Sequence, residues 1–459
     1  MGINGNSGAS SGPLKLAIIG TGIAGSAAAY FARREFGPGV AITVFERGSR
    51  VGGRMEHRPF AGTVIETGGT LLHSSNEYAA EMMNDLGLSR TLPQDRDGSG
   101  ASTVGIWNGK TVTFQTSRYG AITAAKMIGR YGLSPIRTGK AVKAEVKKWT
   151  RIYELQRGGR AYSTVEAMFS ALGLAELCRE PSLDFFRRSG IGHTFVSEFV
   201  DGISRNNYGQ GNSLQAFANV VSLAGAGFAG GGLYSIQGGN ALLAERLLEY
   251  AKVRLRPNTT VHKIKGPEEG SDGYRVIVDG DPELLFDALI IATPLEVAAI
   301  ELDVPGVQGS VIMDRPFQIT HATFVAGELN PAFFGRARAS TLPATMLTVE
   351  DPDIWISSVG RVGFSPAKGV PVYKVFSRET LSDREIDQVF SSRLEVERIV
   401  WRAYPVLGPS TAWPSFELAR GLYYPNAMES AVSTIETEAV AARNVVALLK
   451  NMATAKAQK

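Results

Sequence analysis

Short apolar runs alternate with helix-prone stretches at the beginning of the chain. Residues 15–19 and 40–45 form continuous apolar or β-branched runs, and residues 25–34 between them are rich in alanine. Continuous apolar runs of this length are typical of parallel strands that are buried on both faces. The pattern therefore predicts a strand–helix–strand unit.

The same patterns return later in the chain. Residues 118–148 combine basic and small apolar residues with helical spacing, and residues 241–250 and 428–449 each predict one helix. Three further runs predict strands, at residues 260–265, 274–278 and 286–292. A chain of 459 residues exceeds one ordinary core, and neither a repeat nor a long linker divides it. We therefore expect two interleaved domains.

Residues 206–244 contain no charged side chain, and glycine and alanine dominate residues 225–232. One interpretation is a buried strand or loop in a large core. The other is the wall of an apolar substrate site, since glycines let the backbone approach a ligand closely. The sequence leaves both interpretations open.

The composition of the chain argues against several classes of function. The chain is 44% hydrophobic and 20% charged, with a formal net charge of +4, and it has no Lys/Arg run of the kind that follows nucleic-acid phosphates. The single cysteine, Cys178, excludes an intrachain disulfide and a multi-cysteine zinc site, and no metal-ligand cluster is apparent. Neither a signal peptide nor a transmembrane segment is predicted. These features predict a cytoplasmic protein that does not bind nucleic acid, and they allow peripheral membrane contact.

The first predicted strand ends in a glycine-rich hexapeptide, Gly20-Thr21-Gly22-Ile23-Ala24-Gly25. In a dinucleotide-binding turn the first glycine permits the tight turn, the second lets the backbone approach a diphosphate, and the third lets the helix pack on the sheet. Glu46 ends the second strand about 20 residues later, where an acid accepts the ribose hydroxyls of an adenosine. A chance glycine cluster and a solvated strand-end acid are the alternatives. The complete order of elements favours a bound dinucleotide.

Motifs beyond Glu46 resemble the flavin amine oxidase-like superfamily. Gly-Gly-Arg occupies positions 52–54, Glu-Thr-Gly-Gly-Thr occupies positions 66–70, and Met-Glu-Ser-Ala-Val occupies positions 428–432. Within that superfamily the chain resembles the prenylcysteine oxidase family, through Asn-Asn-Tyr-Gly-Gln at 206–210 and Gln-Gly-Gly-Asn at 237–240. The resemblance covers nearly the whole chain.

This resemblance implies that the dinucleotide is FAD. Met428 is expected to open a helix whose N-terminus faces the reduced flavin ring, where a helix dipole stabilises negative charge. The residues expected to contact FAD are Gly20, Gly22, Ile23, Ala24, Gly25, Glu46, Arg47, Gly53, Arg54, Gly69, Thr70, Val261, Met428, Glu429 and Val432.

The resemblance also implies a reaction. Members of the family oxidise the carbon between the thioether sulfur and the allylic double bond of a prenylcysteine. A hydride passes to the flavin, water adds to the resulting cation, and an aldehyde and a free thiol separate. O₂ then reoxidises the flavin and yields H₂O₂. The partners implied are thus a small apolar, prenylated substrate and O₂.

Little acid–base machinery is needed for this reaction, because the sulfur and the allyl group stabilise the cation. His73 and Tyr208 are the candidate catalytic residues; a structural histidine and a core tyrosine are the alternatives. The candidate substrate-binding residues are Asn207, Tyr208, Tyr234, Trp401 and Tyr404. Each of the aromatic residues is equally compatible with a place in the core.

The predicted fold class is α/β, with a Rossmann-like FAD-binding domain interleaved with a mixed α+β substrate-binding domain. A disordered leader is expected at residues 1–13. The expected FAD-binding domain comprises residues 14–90, 236–300 and 397–459. The expected substrate domain comprises residues 91–235 and 301–396.

Two other functions remain open from the sequence. On the same scaffold, hydride abstraction from a prenylated aromatic would let a phenol close a ring, which is an FAD-dependent oxidative cyclisation in a biosynthetic pathway. A flavin-binding or lipid-binding protein without turnover is the third interpretation.

Overall fold

The computed structural model describes residues 12–92, 103–268, 273–307 and 315–458. The strands, in chain order, are β1 Leu14–Ile19, β2 Val40–Phe45, β3 His57–Phe60, β4 Thr63–Glu66, β5 Leu72–His73, β6 Arg90–Thr91, β7 Val104–Trp107, β8 Val112–Gln115, β9 Leu233–Ile236, β10 Arg254–Arg256, β11 Val261–Lys265, β12 Tyr274–Val278, β13 Leu284–Phe286, β14 Ala288–Ile291, β15 Glu301–Asp303, β16 Phe317–Leu329, β17 Thr345–Thr348, β18 Ile356–Ser365, β19 Val370–Ser377, β20 Phe390–Pro405, β21 Glu417–Ala419 and β22 Leu422–Tyr423.

Helices make up most of the remaining regular structure. The α-helices are α1 Ile23–Phe36, α2 Glu77–Asp85, α3 Gly120–Tyr131, α4 Ser134–Trp149, α5 Arg151–Arg157, α6 Val165–Leu172, α7 Ala175–Arg179, α8 Ser182–Arg188, α9 His193–Phe195, α10 Asp201–Tyr208, α11 Ala216–Leu223, α12 Ala241–Ala251, α13 Leu295–Ala298, α14 Asp383–Val389 and α15 Ile435–Ala457. Two π-helical turns lie at Val196–Val200 and Ala224–Phe228, and a 3₁₀ helix lies at Pro425–Ser430. Within the described ranges, no helix is long and apolar enough to span a lipid bilayer.

A six-stranded sheet forms the first layer, in the order β10-β2-β1-β14-β22-β21. The first five strands are parallel, and β21 is antiparallel to β22. Strands β1 and β2 with α1 between them confirm the predicted strand–helix–strand unit and the Rossmann-like fold.

Helix α1 is buried between this sheet and two other helices, α12 and α15. Its alanines Ala27, Ala28, Ala29 and Ala32 are completely buried. Small side chains let the helix axes approach the sheet closely, so the alanine-rich pattern at this position reflects close packing as well as helix propensity.

The second large layer is a seven-stranded sheet in the order β20-β16-β19-β18-β17-β7-β8. Its long strands β16 and β20 pair antiparallel from Phe317 opposite Pro405 to Leu329 opposite Phe390. A four-stranded sheet, β13-β12-β11-β15, flanks the six-stranded one. The main hydrophobic core unites α1, the six-stranded sheet and the helices between β8 and β9.

Three of the expected domain boundaries lie in or next to paired strands. The boundary at 396/397 falls inside β20, and the boundary at 235/236 falls inside β9. Strand β15, which follows the boundary at 300/301, pairs with β11 of the preceding segment. The division into two domains stays a prediction. Most of the expected leader lies outside the described residues.

The predicted single helix at 428–449 is wrong at its beginning. Met428 and Glu429 lie in the 3₁₀ helix Pro425–Ser430, and the α-helix begins only at Ile435. Thr434 caps it, since its hydroxyl accepts a hydrogen bond from the Thr437 amide at 3.0 Å and its own amide donates to the Thr437 hydroxyl. This reciprocal cap sets the start of the helix.

We expect Gly25→Ala to destabilise the protein by about 3 kcal/mol or more, because severe backbone conflicts produce losses of this size. A Cβ at position 25 would lie 2.0 Å from the Gly20 carbonyl oxygen. Thermal unfolding of the purified variant measures the loss. Gly39→Ala is the control, since nothing lies within 4 Å of a Cβ at that position. Equal melting temperatures for the two variants would contradict the close packing of α1 on the turn.

Glu436 predicts a pH dependence of stability. Its buried carboxylate accepts hydrogen bonds from the Tyr78 and Ala79 amides of α2, and burial raises its pKa from 4.5 to about 7. Between pH 4.5 and about 7, the folded state keeps a proton on Glu436 that the unfolded state has lost. The free energy of unfolding therefore falls as pH rises through that window. Urea unfolding of Glu436→Gln across this range should lack that part of the slope. Glu81→Gln, on the exposed side of α2, should retain it.

Candidate active site

Three glycines shape the turn after β1, each for a different reason. Gly20 has φ 102°, and a Cβ there would lie 2.6 Å from the Ala292 carbonyl oxygen. Gly25 lies against the Gly20 carbonyl. A Cβ on Gly53 would lie 3.0 Å from the Gly22 Cα, so these two glycines bring separate segments together. The turn thus has the close backbone approaches that a dinucleotide diphosphate requires.

The N-terminus of α1 is suited to an anion. Gly22 is the N-cap, no side chain of the described chain caps this end, and the first turn has no acidic residue. Ile23 and Ala24, two of the expected FAD-contacting residues, open the helix. Free N–H groups and the helix dipole together favour a phosphate here.

Glu46 lies at the end of β2 beside this turn. One carboxylate oxygen accepts hydrogen bonds from the Thr21 amide at 3.1 Å and the Thr21 hydroxyl, and the other accepts from the Gly48 amide at 2.8 Å. Each carboxylate oxygen can accept more than one hydrogen bond, so capacity remains for ribose hydroxyls. The Thr259 amide donates to the Glu46 carbonyl, which brings the start of β11 with the buried Val261 alongside. Arg47 is exposed next to it.

Arg54 connects the beginning of the chain with its end. One guanidinium nitrogen donates to the Ala403 carbonyl at 2.7 Å, and the other forms an ion pair with Glu429. Glu429 is completely buried and also accepts from the Asn426 amide at 2.9 Å. Burial disfavours the Arg54 cation, but the Glu429 carboxylate outweighs this effect and raises the Arg54 pKa.

Further charged groups surround this pair, and the sequence analysis missed them. Arg315 is buried, pairs with Glu296 and donates to the Tyr424 hydroxyl at 2.9 Å. Glu438 in α15 is also buried. Burial and then the neighbouring Glu429 raise the Glu438 pKa well above its ordinary value.

Several buried oxygens of this cluster are incompletely satisfied. One oxygen of Glu429 and both oxygens of Glu438 have no hydrogen-bond partner among the described residues. Buried polar atoms nearly always have a partner, so these oxygens are suited to accept hydrogen bonds from a bound polar group. The residues therefore fit a cofactor with hydrogen-bonding ring edges, such as FAD. Met428 and Val432, both completely buried, form the apolar part of this segment.

The loop that contains Gly69 and Thr70 packs beside Arg54. The Gly69 amide donates to the Arg54 carbonyl at 3.1 Å, and the Asn240 side chain donates to the Gly69 carbonyl at 2.9 Å. Thr70 donates to the carbonyl of Gly68. The expected FAD-contacting residues of this loop thus lie next to Arg54.

Lys374 is a buried cation near the same loop, and no sequence signal indicated it. Its Nζ donates to the Glu66 carbonyl at 3.3 Å and lies 4.7 Å from the centre of the Phe376 ring. Burial lowers its pKa from 10.5 to about 8. The lysine therefore lies between the loop at 66–70 and the cavity that Phe376 lines.

His73 has both ring nitrogens occupied. Its Nδ1 accepts a hydrogen bond from the Ser75 amide at 3.1 Å, and its Nε2 lies 2.7 Å from the Gly230 carbonyl oxygen, to which it donates. This arrangement requires the neutral ring with the proton on Nε2. The histidine holds the glycine-rich segment in place, and a catalytic role stays a prediction.

A cavity of about 1160 Å³ lies between α10, the turn that follows it and strands β16 and β19. Tyr404 lines this cavity, and the carbonyl of the preceding residue, Ala403, binds Arg54. The Tyr208 ring lies 5.1 Å from the Tyr404 ring at an angle of 75°. Tyr404 also donates to the Asn207 carbonyl at 2.9 Å. Of the expected substrate residues, Tyr404 therefore lines the cavity, and Asn207 and Tyr208 pack against it without lining the cavity themselves.

The other two expected substrate residues lie elsewhere. Tyr234 in β9 pairs with Leu72 and stacks under Arg90, whose guanidinium carbon is 4.3 Å from the ring centre. Trp401 packs on a separate apolar cluster that includes Phe60. Neither lines the cavity. Their positions match the core alternative for these aromatic residues.

The neutral segment 206–244 has a buried part and an exposed part. Helix α11 is mostly buried, which agrees with the core interpretation, whereas Ala226 and Gly227 are exposed. The cavity contacts only the beginning of the segment, at Asn206 and residues 209–213. The glycine-rich part therefore does not form a wall of this cavity.

Charged side chains form the polar side of the cavity. Arg205 is buried and pairs with Asp201 at 3.1 Å and with Glu350 at 3.0 Å. Glu350 also pairs with Arg378 at 2.8 Å. Burial raises the Asp201 pKa and lowers the Arg205 pKa. The rest of the lining mixes polar side chains with an apolar part formed by Leu183, Ile319, Val349, Phe376 and Val406.

Arg54→Met should destabilise the protein by about 3 kcal/mol, because it leaves the Glu429 carboxylate buried without its cation. Urea unfolding measures the effect. Arg58→Met is the matched control, since Arg58 pairs with Glu56 and Glu397 in a more exposed position where ion pairs contribute little. If the two variants lose the same stability, the Arg54–Glu429 pair does not have the importance we assign to it.

Comparisons with known proteins agree with this geometry. Residues 114–459 match the family model described as prenylcysteine lyase, and residues 18–86 match an NAD(P)-binding Rossmann-like domain. A protein named farnesylcysteine lyase from Arabidopsis thaliana is 34% identical over 95% of this chain and 88% of the relative. Prenylcysteine oxidase 1 from Homo sapiens is 32% identical with the same coverage.

Solved structures share the fold at low identity. Cyclohexylamine oxidase from Brevibacterium oxydans superposes with a TM-score of 0.65 at 15% identity, over 97% of this chain and 100% of that one. A fatty acid isomerase from P. acnes superposes with a TM-score of 0.64 at 14% identity, over 94% and 98%. The matches together indicate an FAD-dependent oxidoreductase. The chain belongs to the prenylcysteine lyase family.

Proposed function

We propose that this enzyme uses FAD to oxidise the carbon next to sulfur in a prenylcysteine, releasing a prenyl aldehyde and free cysteine. The single observation that carries the proposal is the position of the cavity. It is lined by Tyr404, and the adjacent Ala403 carbonyl binds Arg54 at the cluster that we assign to FAD. A substrate in the cavity therefore lies beside the cofactor.

The size of the cavity and the apolar part of its lining suit a prenyl chain. Its volume of about 1160 Å³ is at the upper end of what small-molecule sites enclose. Each buried CH₂ contributes about 0.8 kcal/mol, so a farnesyl chain offers on the order of 10 kcal/mol before the costs of association. The charged side of the cavity, with Arg378 and Glu350, presents both signs of charge to the carboxylate and ammonium of a cysteine.

When bound, FAD accepts the hydride and O₂ later removes the two electrons as H₂O₂. The chain's own residues bind and orient the substrate. Burial raises the pKa values of Tyr208 and Tyr404, so both phenols keep their protons and neither serves as a base. The Tyr404 ring supplies an apolar surface to the cavity and the Tyr208 ring supports it from behind. The open side of the cavity admits the water that adds to the oxidised carbon.

The overall reaction balances without another reactant. One prenylcysteine, one O₂ and one H₂O give one aldehyde, one cysteine and one H₂O₂. The C–S bond breaks, and the thiol takes up a proton as the water-derived oxygen becomes the aldehyde oxygen. Relatives named farnesylcysteine lyase and prenylcysteine oxidase favour this cleavage over closure of a ring on a prenylated aromatic.

The test is turnover of S-farnesylcysteine by the purified holoenzyme under air. We expect H₂O₂, farnesal and free cysteine in equal amounts, and under argon the flavin absorbance should bleach on addition of the same substrate. S-dodecylcysteine is the matched control: it has the same head group and a long apolar chain but no allylic double bond, so it should bind without bleaching the flavin. Bleaching by a prenylated phenol, with none by S-farnesylcysteine, would assign the enzyme to ring closure instead.

A further inference from the structure

Helix α3 and the first part of α4 form a hairpin on the surface, at residues 118–143, which we call the surface hairpin. Of the large apolar side chains in this part of the chain, several are about half exposed, with exposed fractions from 47% to 57%. These are Tyr119, Ile122, Ile128, Leu133 and Ile136. Contiguous exposed apolar residues usually mark an interaction site.

The hairpin is also strongly basic. It contains six cationic residues and no acidic residue: Arg118, Lys126, Arg130, Arg137, Lys140 and Lys143. Side chains three or four positions apart share one face of a helix, so Ile136 lies in line with Lys140 and Lys143 on α4. All three are exposed. Ile122 and Lys126 form a similar pair on α3.

Helix α3 has little packing of its own to bury these side chains. Tyr131 is its one buried residue, and its ring packs against those of Phe114, Phe195 and Phe199 at the last turn. Most of the helix therefore faces outward with its isoleucines exposed. Such a surface is favourable only if something apolar covers it during function.

We propose that the surface hairpin binds the surface of an anionic lipid bilayer. Helices that lie in a membrane interface place apolar side chains at the boundary between headgroups and acyl chains, while lysines and arginines contact lipid phosphates. The half-exposed isoleucines and leucine supply the apolar part, and the five cations other than Arg130, which pairs with Glu198, supply the complementary charge. Tyr119, an aromatic residue with a polar tip, suits the headgroup level.

The hairpin is joined to the wall of the cavity. Arg130 donates to both carboxylate oxygens of Glu198, at 2.7 and 2.8 Å, and the Tyr131 hydroxyl donates to the same group at 2.9 Å. Glu198 and Ser197 line the cavity. Binding to a bilayer would thus bring the cavity close to membrane-dissolved, prenylated molecules, a consequence that rests on the proposed function.

Vesicle flotation tests the proposal with the full-length holoenzyme. We expect the protein to float with vesicles of phosphatidylcholine and phosphatidylserine and to stay behind with vesicles of phosphatidylcholine alone. Neutralising two cations, Lys140→Gln with Lys143→Gln, should weaken binding by about fivefold for each charge. Ile122→Ser with Ile136→Ser should weaken binding to the same vesicles by at least as much.

Matched controls come from a second surface. Lys252 and Arg254 are exposed cations at the edge strand β10, and Leu285 and Leu394 are exposed apolar residues outside the hairpin. Lys252→Gln with Arg254→Gln, and Leu285→Ser with Leu394→Ser, should leave binding unchanged. Because all substituted residues are exposed, unchanged circular dichroism and FAD content should accompany every variant.

Absence of flotation with anionic vesicles would overturn the proposal, and so would equal losses in the control variants. If the hairpin instead covers a second copy of this chain, sedimentation velocity will show a dimer that the Ile122→Ser, Ile136→Ser variant loses while vesicles fail to bind. Flotation does not depend on turnover. A protein that binds vesicles but does not oxidise S-farnesylcysteine would therefore refute the proposed reaction and still support membrane binding by the surface hairpin.

Discussion

The ion pair between Arg54 and Glu429 is the contact on which the rest of the structure depends. Its partners are 375 residues apart, one after the first strand–helix–strand unit and the other just before the last helix. Their contact connects an early segment of the chain with a late one. Arg54 also binds the Ala403 carbonyl, which connects β20 to the same pair. The cofactor region and the cavity consequently share one rigid border.

Burying so many charges in one place has an energetic cost that the fold offsets only in part. Glu429, Glu438 and Arg315 are all withdrawn from water, and several of their acceptor atoms lack partners in the described chain. Half-satisfied polar clusters are costly in a low-dielectric interior. A bound group that completes the hydrogen bonds removes this cost. A partly unsatisfied site therefore favours binding of its cofactor.

The local elements were accessible from the sequence because their signals are local. The glycine turn, the alanine-rich α1 and strands β1, β2, β11 and β12 follow from apolar runs and turn residues a few positions apart. The start of α15 was missed since Thr434 and Thr437 form their cap only where the preceding segment adopts a 3₁₀ turn. Of the expected substrate residues, Tyr404 packs against the Tyr208 ring beside the cavity, whereas Trp401, three positions away on the same strand, packs on another cluster.

By itself, the sequence determined that the chain has a dinucleotide turn, an acid at the end of the second strand and a glycine-glycine-arginine motif, because each depends on neighbours along the chain. Tertiary structure alone decided that Arg315, Glu438 and Lys374 surround the site, that His73 is occupied by structural hydrogen bonds, and that the glycine-rich segment faces outward. The physical reason is that burial and pairing are set by which distant segments pack together. Residue type and local spacing do not specify that packing.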